Sequence, residues 1–343
     1  MAPLIRVRNL EKRFVVAPLH RGMRTVFRRA RGRNRQEITV VDRVGFDVST
    51  GEMVAYVGPN GAGKSTTIKM LTGVLVPSGG EVMVDGLVPY RQRTTLASRI
   101  GVVFGQRSQL WWDLPLLDSL QILRHMYKLP EERYYSQLKR ISDVLDLGPI
   151  LYRPVRQLSL GQRMRGELAA AILHQPKILF LDEPTIGLDV VAKERIHALL
   201  IELNQQFQIT MILTTHQLAD IPRLCQRLMI LDKGSLIYDG GIAAFTERYG
   251  GERRLVIDIE DADRIVGPEL FGARLERREG NRLWLAYQRD QVSTPELIGH
   301  LMSCYAVRDL MLEELDIESI IHQMYSTQFL NIEQTSTVMQ RRI

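Results

Sequence analysis

The chain has 343 residues, with 45% hydrophobic and 24% charged side chains, which excludes a disordered or low-complexity protein and leaves room for two domains. No stretch reaches 18 uncharged apolar residues, the longest such run being 168–173, so no segment is expected to span a bilayer. The net charge of +6 invites a nucleic-acid partner, yet seven arginines and one acid between Pro18 and Glu37 account for all of it, and no such partner is expected.

The amino end, Met1-Ala2-Pro3-Leu4-Ile5-Arg6, lacks the apolar core of a signal peptide, which predicts a cytosolic chain. Short β patterns follow at 5–10 and 38–48, on either side of the basic insertion 18–37. An apolar run at 53–57 ends directly in a glycine-rich stretch, after which 65–75 has helical spacing through Ile68, Leu71 and Leu75. Buried strands are predicted at 100–104, 178–181 and 210–213, and helices at 117–129 and 134–145. A hairpin at 228–231 and 235–238 turns on Asp232-Lys233-Gly234. Alternation of strand and helix predicts an α/β architecture around a largely parallel sheet.

Past Gly250-Gly251 the texture changes. A strand at 255–259, a hairpin at 274–278 and 282–287, a helix at 295–303, a strand at 307–312 and a helix at 317–325 predict a small α+β domain. The expected boundaries are a domain at 1–248 with a helical subdomain at about 107–174, a domain at 249–328, and a tail at 329–343 of little pattern. Cys225 and Cys304 lie far apart without metal-ligand spacing and are expected to be two buried thiols, a disulfide between them being the alternative.

The glycine-rich stretch reads Gly58, Pro59, Asn60, Gly61, Ala62, Gly63, Lys64, Ser65, Thr66, a Walker A phosphate loop set between a strand and a helix. Glycines let the backbone amides converge on a β-phosphate, and the helix points its positive end at the anion. Lys64 is expected to bridge the β- and γ-phosphates and Ser65 to give a hydroxyl to Mg²⁺. At 177–184, Lys-Ile-Leu-Phe-Leu-Asp-Glu-Pro has the form of a Walker B strand, with its acids at the carboxyl end where α/β sheets bind ligands. Asp182 is expected to hold Mg²⁺ through water, and Glu183 to polarise the water that attacks the γ-phosphorus.

One further motif is specific. Leu158-Ser159-Leu160-Gly161-Gln162 resembles the Leu-Ser-Gly-Gly-Gln signature of ABC transporter nucleotide-binding subunits, with Leu160 in place of the first glycine. The resemblance covers residues 4 to about 245 and implies a P-loop NTPase fold with a helical subdomain. It implies that Ser159 and the amide of Gly161, followed by Gln162, meet the γ-phosphate of ATP bound to a second subunit. By the same resemblance Gln106 is a Mg²⁺ and water ligand on a segment touching the membrane partner, Asp189 belongs to the D-loop, and His216 is the switch histidine. Phe14 lies where the family's adenine-stacking aromatic falls, ordinary strand packing being the alternative. The domain after 248 resembles the carboxyl-terminal domain of ABC-2-class export ATPases such as drug-resistance and viologen-exporter subunits.

The resemblance thus implies an ATP-hydrolysing subunit with ATP and Mg²⁺ as cofactors, peripheral on the inner face of the cell membrane. Its implied partners are ABC-2-type membrane permease subunits and a second ATPase subunit, either a second copy or a paralogue. An importer ATPase and a soluble ABC ATPase acting on ribosomes or nucleic acid stay open as alternatives. Against the soluble alternative stand the single Walker A and the lack of sustained heptads. A non-catalytic regulatory subunit is opposed by intact Lys64, Asp182, Glu183 and His216. In the basic arm, Met23, Val26, Phe27 and Ala30 recur at helical spacing with Arg24, Arg28 and Arg31 on another face. That pattern reads either as a short helix on an anionic membrane surface or as a solvated loop between two strands.

Overall fold

The computed structural model describes residues 3–16, 36–104, 108–215, 217–260, 271–288, 290–313, 316–321 and 324–325. The chain divides into two compact units, one of Met1–His216 with Asp220–Gly240 and one of Gln217–Ala219 with Gly241–Ile343.

The first unit begins β1 (Ile5–Val16), β2 (Gln36–Val48), β3 (Met53–Val57), α1 (Lys64–Leu71), β4 (Gly79–Val84), α2 (Arg93–Ala97) and β5 (Ile100–Phe104). It continues with α3 (Leu116–Met126), α4 (Glu131–Leu145), α5 (Leu160–Ile172), β6 (Ile178–Asp182), α6 (Val190–Phe207), β7 (Thr210–Thr215), α7 (Ile221–Leu224), β8 (Arg227–Asp232) and β9 (Ser235–Gly241). One sheet runs β5-β6-β7-β3-β8-β9, and its pairings from β5 to β8 are parallel. Its inner strands are largely apolar because both faces are covered, with Val54, Val57, Leu179, Phe180 and Leu181 fully buried, whereas the edge strand β9 is only half-buried. A second sheet, β2-β1-β4, is antiparallel. Its inward residues Ile5, Val7, Leu10, Val41 and Phe46 share a core with Tyr56, Ile68 and Phe180.

Several elements differ from the sequence expectations. β1 runs on to Val16, and β4 was not expected because it opens on Gly79 and Gly80, poor strand formers. α1 ends at Leu71 instead of 75, since Gly73 turns the chain at φ +77, where a Cβ would lie 2.6 Å from the Pro89 carbonyl oxygen. The 18-residue α6 was also unexpected. Asp189 caps it by accepting from the Ala192 N–H at 2.8 Å, and Ile196, Leu200 and Leu203 form its buried stripe.

The second unit holds α8 (Ile242–Tyr249), β10 (Glu252–Ile259), β11 (Arg274–Glu279), β12 (Arg282–Gln288), α9 (Thr294–Cys304) and β13 (Val307–Glu313). Its antiparallel sheet has the order β11-β12-β10-β13. Leu255, Ile257, Leu283, Leu285 and Tyr287 pack against Leu297 and Leu301 of α9. Ser293 and Glu296 start that helix with a reciprocal capping box. The expected helix at 317–325 is helical at every described residue, 317–321 and 324–325, and the tail from 329 lies outside the described residues. Cys225 is buried, with its thiol pushed up to about 12, but Cys304 is exposed at the end of α9, correcting the expectation of two buried thiols. Neither cysteine is in a disulfide.

Candidate nucleotide site

β3 lies inside the sheet between β7 and β8 and parallel to both, so the loop leaving its carboxyl end opens at the carboxyl edge of the parallel strands, the usual ligand position in such folds. Two glycines in that loop are sterically required. A Cβ on Gly58 would run into the Leu231 carbonyl, and one on Gly63, at φ +105, would lie 2.6 Å from the Val40 carbonyl oxygen. Gly63 is the N-cap of α1 and makes no side-chain cap, so no capping side chain competes with an anion for the first-turn N–H groups. Lys64 is 7% exposed and donates to the carbonyls of Gly58 at 2.6 Å and Pro59 at 3.1 Å. Burial lowers its pKa, while the charges of Glu183 and Asp182 work in the opposite direction.

The acids come from the end of β6. Asp182 Oδ1 accepts from the Ser65 hydroxyl at 3.2 Å and from the Thr214 hydroxyl at 2.6 Å. Glu183 adopts φ +54, a conformation costing about 1–3 kcal/mol for a residue with a side chain. Its backbone N–H donates to the Thr214 carbonyl at 3.0 Å, which fixes the kink against β7. Sequence reading did not single out Thr214; its only signal was a hydroxyl residue closing an apolar strand beside the acids.

The donors present suit Mg²⁺. One hydroxyl and one carboxylate, Ser65 and Asp182, lie side by side, and Mg²⁺ is ordinarily held by one or two carboxylates together with phosphates and water. Among the described residues there is no group of three His, Cys, Asp or Glu that forms an all-protein metal cage.

A second group lies at the mouths of α5 and α6. Ser159 caps α5 in a capping box, its Oγ accepting from the Gln162 N–H at 3.2 Å and its N–H donating to Gln162 Oε1 at 3.0 Å. Gly161 faces α6, where a Cβ would come 3.2 Å from that of Ala192. Ser159, Gly161, Gln162 and Asp189 line one open cleft of about 280 Å³. Leu160 turns toward Gly187, its Cδ2 being 3.1 Å from where a Cβ there would stand.

The structure therefore gathers Gly58, Gly63, Lys64, Ser65, Asp182 and Glu183 in one place and Ser159, Gly161, Gln162 and Asp189 in another. Pro59, Asn60 and Gly61 are exposed on the loop, Ala62 is buried, and Thr66 is half-buried on α1. Phe14 is 38% exposed on β1, with the Lys12 ammonium 5.1 Å from its ring centre. Gln106 and His216 lie outside the described residues, as does most of the 18–37 arm.

Comparison with known proteins gives the family. The model described as "ABC transporter" matches residues 41–186. The chain is 32% identical over 217 residues to the linearmycin resistance ATP-binding protein LnrL of Bacillus subtilis, covering 62% of this chain and 68% of that one. The chain belongs to the ABC transporter ATP-binding family. A second relative, the methionine import ATP-binding protein MetN of Latilactobacillus sakei, is 28% identical over 282 residues, covering 80% of this chain and 81% of its own. Among solved structures, the dimeric bacterial ABC transporter cassette MJ0796 superposes with a TM-score of 0.57 at 25% identity, covering 69% of this chain and 98% of that one. As a member of this family the chain is an ATPase with the P-loop ABC fold. No helix among the described residues is long and apolar enough to cross a membrane.

Proposed function

We propose that this chain is the ATP-hydrolysing subunit of an ABC-2-type membrane exporter, working as a dimer on separate permease subunits. The observation that carries the reading is the separation of the site into two groups. Lys64, Ser65, Asp182 and Glu183 form one half, and Ser159 and Gly161 present an open helix mouth as the other. Two chains, identical or paralogous, then complete each other's sites, and the dimeric state of the related cassette MJ0796 supports this.

In each half the loop amides and Lys64 grip the β- and γ-phosphates of ATP. Ser65, Asp182 and Gln106 would hold Mg²⁺, which would supply positive charge against that of the phosphates, and Phe14 would stack on the adenine. Glu183 orients and deprotonates the attacking water, a contribution of about 10²–10⁴-fold in rate. His216 contacts the γ-phosphate, and Ser159 with the Gly161 amide closes over it from the partner. Gln162 and Asp189 shape that second half, Gln162 by holding the Ser159 cap and Asp189 by capping α6. Dimer closure on ATP and opening after hydrolysis would move the permeases through the segment around 106–115.

On this reading the ATPase core ends near Gly240, ahead of α8 and somewhat before the expected boundary at 248, and the α+β accessory domain follows it as far as 328. The protein sits on the inner face of the membrane, and the basic 18–37 arm is either a contact for anionic lipid headgroups or a solvated loop between two strands. Nucleic acid is not a partner. Likeness to a resistance ATPase supports export. A second reading, the ATPase of an importer, is favoured by the longer alignment with a methionine import subunit.

Glu183→Gln tests the core of the reading. The variant should bind ATP, lose at least about 100-fold in turnover and accumulate as a dimer on sizing columns with ATP. Full hydrolysis by that variant would remove Glu183 from the role of base.

A further inference from the structure

Two turns beyond Ser159, α5 carries a carboxylate that the nucleotide chemistry above does not use. Glu167 is 3% exposed. One of its oxygens accepts from the Ser108 hydroxyl, and the other accepts from the backbone N–H of Gln109 at 3.0 Å. Burial pushes the Glu167 pKa up, and the bonds from Ser108 and Gln109, with the Arg163 charge, oppose that shift. An apolar side chain would fill such a space without the cost of desolvating a carboxylate. A carboxylate there instead fixes a stretch of backbone.

The stretch it fixes begins two residues after Gln106. Gln109 Nε2 donates to the Val102 carbonyl of β5 at 2.5 Å, and the Trp111 N–H donates to the Ser119 hydroxyl of α3 at 3.2 Å. α5 lies hard against the same segment, since a Cβ on Gly166 would fall 2.9 Å from Leu116 and 3.0 Å from Leu110. Residues 108–111 are thus bonded to β5, α3 and α5 at once, and Glu167 is the α5 connection.

We propose that Glu167 is a positioning residue, fastening the segment after Gln106 to the helix that presents Ser159 and Gly161, so that the two move as one body during turnover. This rests on the roles given above to Gln106, Ser159 and Gly161.

The test uses the purified full-length chain and compares Glu167→Ala, Glu167→Gln, Ser108→Ala and Ser159→Ala. Glutamine keeps both bonds, since its oxygen accepts from Gln109 and its amide donates to the Ser108 oxygen. Glu167→Ala should lower kcat about tenfold or more, as loss of a supporting contact does, while ATP affinity stays within about twofold. Amide exchange at Gln109 should accelerate in that variant. Glu167→Gln should recover kcat to within about threefold, and Ser108→Ala should show a smaller loss that does not add to that of Glu167→Ala.

Wild-type kcat in Glu167→Ala overturns the inference, as does a loss in KM alone, or equal impairment of the Ala and Gln variants. If Glu167→Ala does not fold, Ser108→Ala decides: turnover falls at unchanged ATP affinity, or the inference is wrong. Ser159→Ala separates the two layers. Full turnover in Ser159→Ala sinks the two-halves reading itself. Loss there with none in Ser108→Ala and Glu167→Ala sinks only the positioning role.

Discussion

The Thr214 hydroxyl donates to Asp182 Oδ1 at 2.6 Å, on the same oxygen that accepts from Ser65 at 3.2 Å. Thr214 is fully buried and paired in register with Asp182 across β6 and β7. Its bond fixes the carboxylate's rotation and leaves the second oxygen for water or metal. Thr214→Val keeps the shape and removes the donor. We expect the Mg²⁺ concentration for half-maximal ATPase activity to rise about tenfold, as for other contacts that orient a metal ligand. Mg²⁺-free ATP binding should be unchanged. An unaltered Mg²⁺ titration would show that Thr214 does not orient Asp182.

The phosphate loop separates two kinds of glycine. Gly63→Ala meets both a backbone oxygen at 2.6 Å and a φ of +105, whereas Gly61→Ala meets nothing within 4 Å and carries only the φ of +84. The Gly61 variant should lose about 1–2 kcal/mol of stability and keep measurable ATP binding. The Gly63 variant should lose more stability and bind no ATP. Isothermal titration and urea melts of the two proteins check this, and equal behaviour would contradict the packing around Val40.

Legibility in the sequence follows locality. The phosphate loop could be read because its glycines, Lys64 and the preceding apolar strand are contiguous. Asp182 and Glu183 stood out as acids ending an apolar run. Thr214 could not, because its partner lies 32 residues away and only strand register brings them together. Glu167 was hidden for a similar reason: an acid on a helix ordinarily reads as solvent-facing, and its burial depends on Ser108 and Gln109 returning from a distant loop. α6 was missed although Asp189 is a good cap, because its buried stripe is thin and its first turn opens on Val190 and Val191, poor helix formers. β4 was missed because a glycine pair reads as a turn, whereas Gly80, at φ +78, allows close approach to the Asn9 carbonyl.

His174 gives the chain a built-in acid sensitivity. It is 6% exposed, stacks on Tyr127 with ring centres 4.0 Å apart, and its Nε2 lies 3.0 Å from the Ile100 carbonyl oxygen. Burial lowers its pKa from 6.5 to about 4. The unfolded chain therefore takes up a proton below 6.5 that the folded chain refuses until about 4, so stability falls as pH drops through that window and levels off below it. Between pH 7 and pH 4.5 this one group should cost about 2–3 kcal/mol. His174→Phe keeps the stack and removes the titration. Urea melts of both proteins at the two pH values should show the wild type losing that much more than the variant, and equal losses would count against the assignment.

Leu160 and Gly187 form a pair in which the residue departing from the family signature meets the loop leading into α6. Leu160 Cδ2 stands 3.1 Å from the place of a Gly187 Cβ, and Gly187 holds φ +73. Gly187→Ala must therefore both strain the backbone, by about 1–2 kcal/mol, and push the leucine aside. Leu160→Gly removes the leucine but gives α5 a glycine in its first turn, at a cost of up to about 1 kcal/mol. The double variant should recover the steric part and not the backbone part. A double-mutant cycle on unfolding free energy should then return a coupling of at least about 0.5 kcal/mol in the stabilising direction. ATPase rates should follow the same order, with Gly187→Ala slowest, because the push on Leu160 displaces the amide of Gly161 beside it. Strict additivity in both measurements would mean that Leu160 does not brace the loop, and the leucine would then stand in the signature with no mechanical part in it.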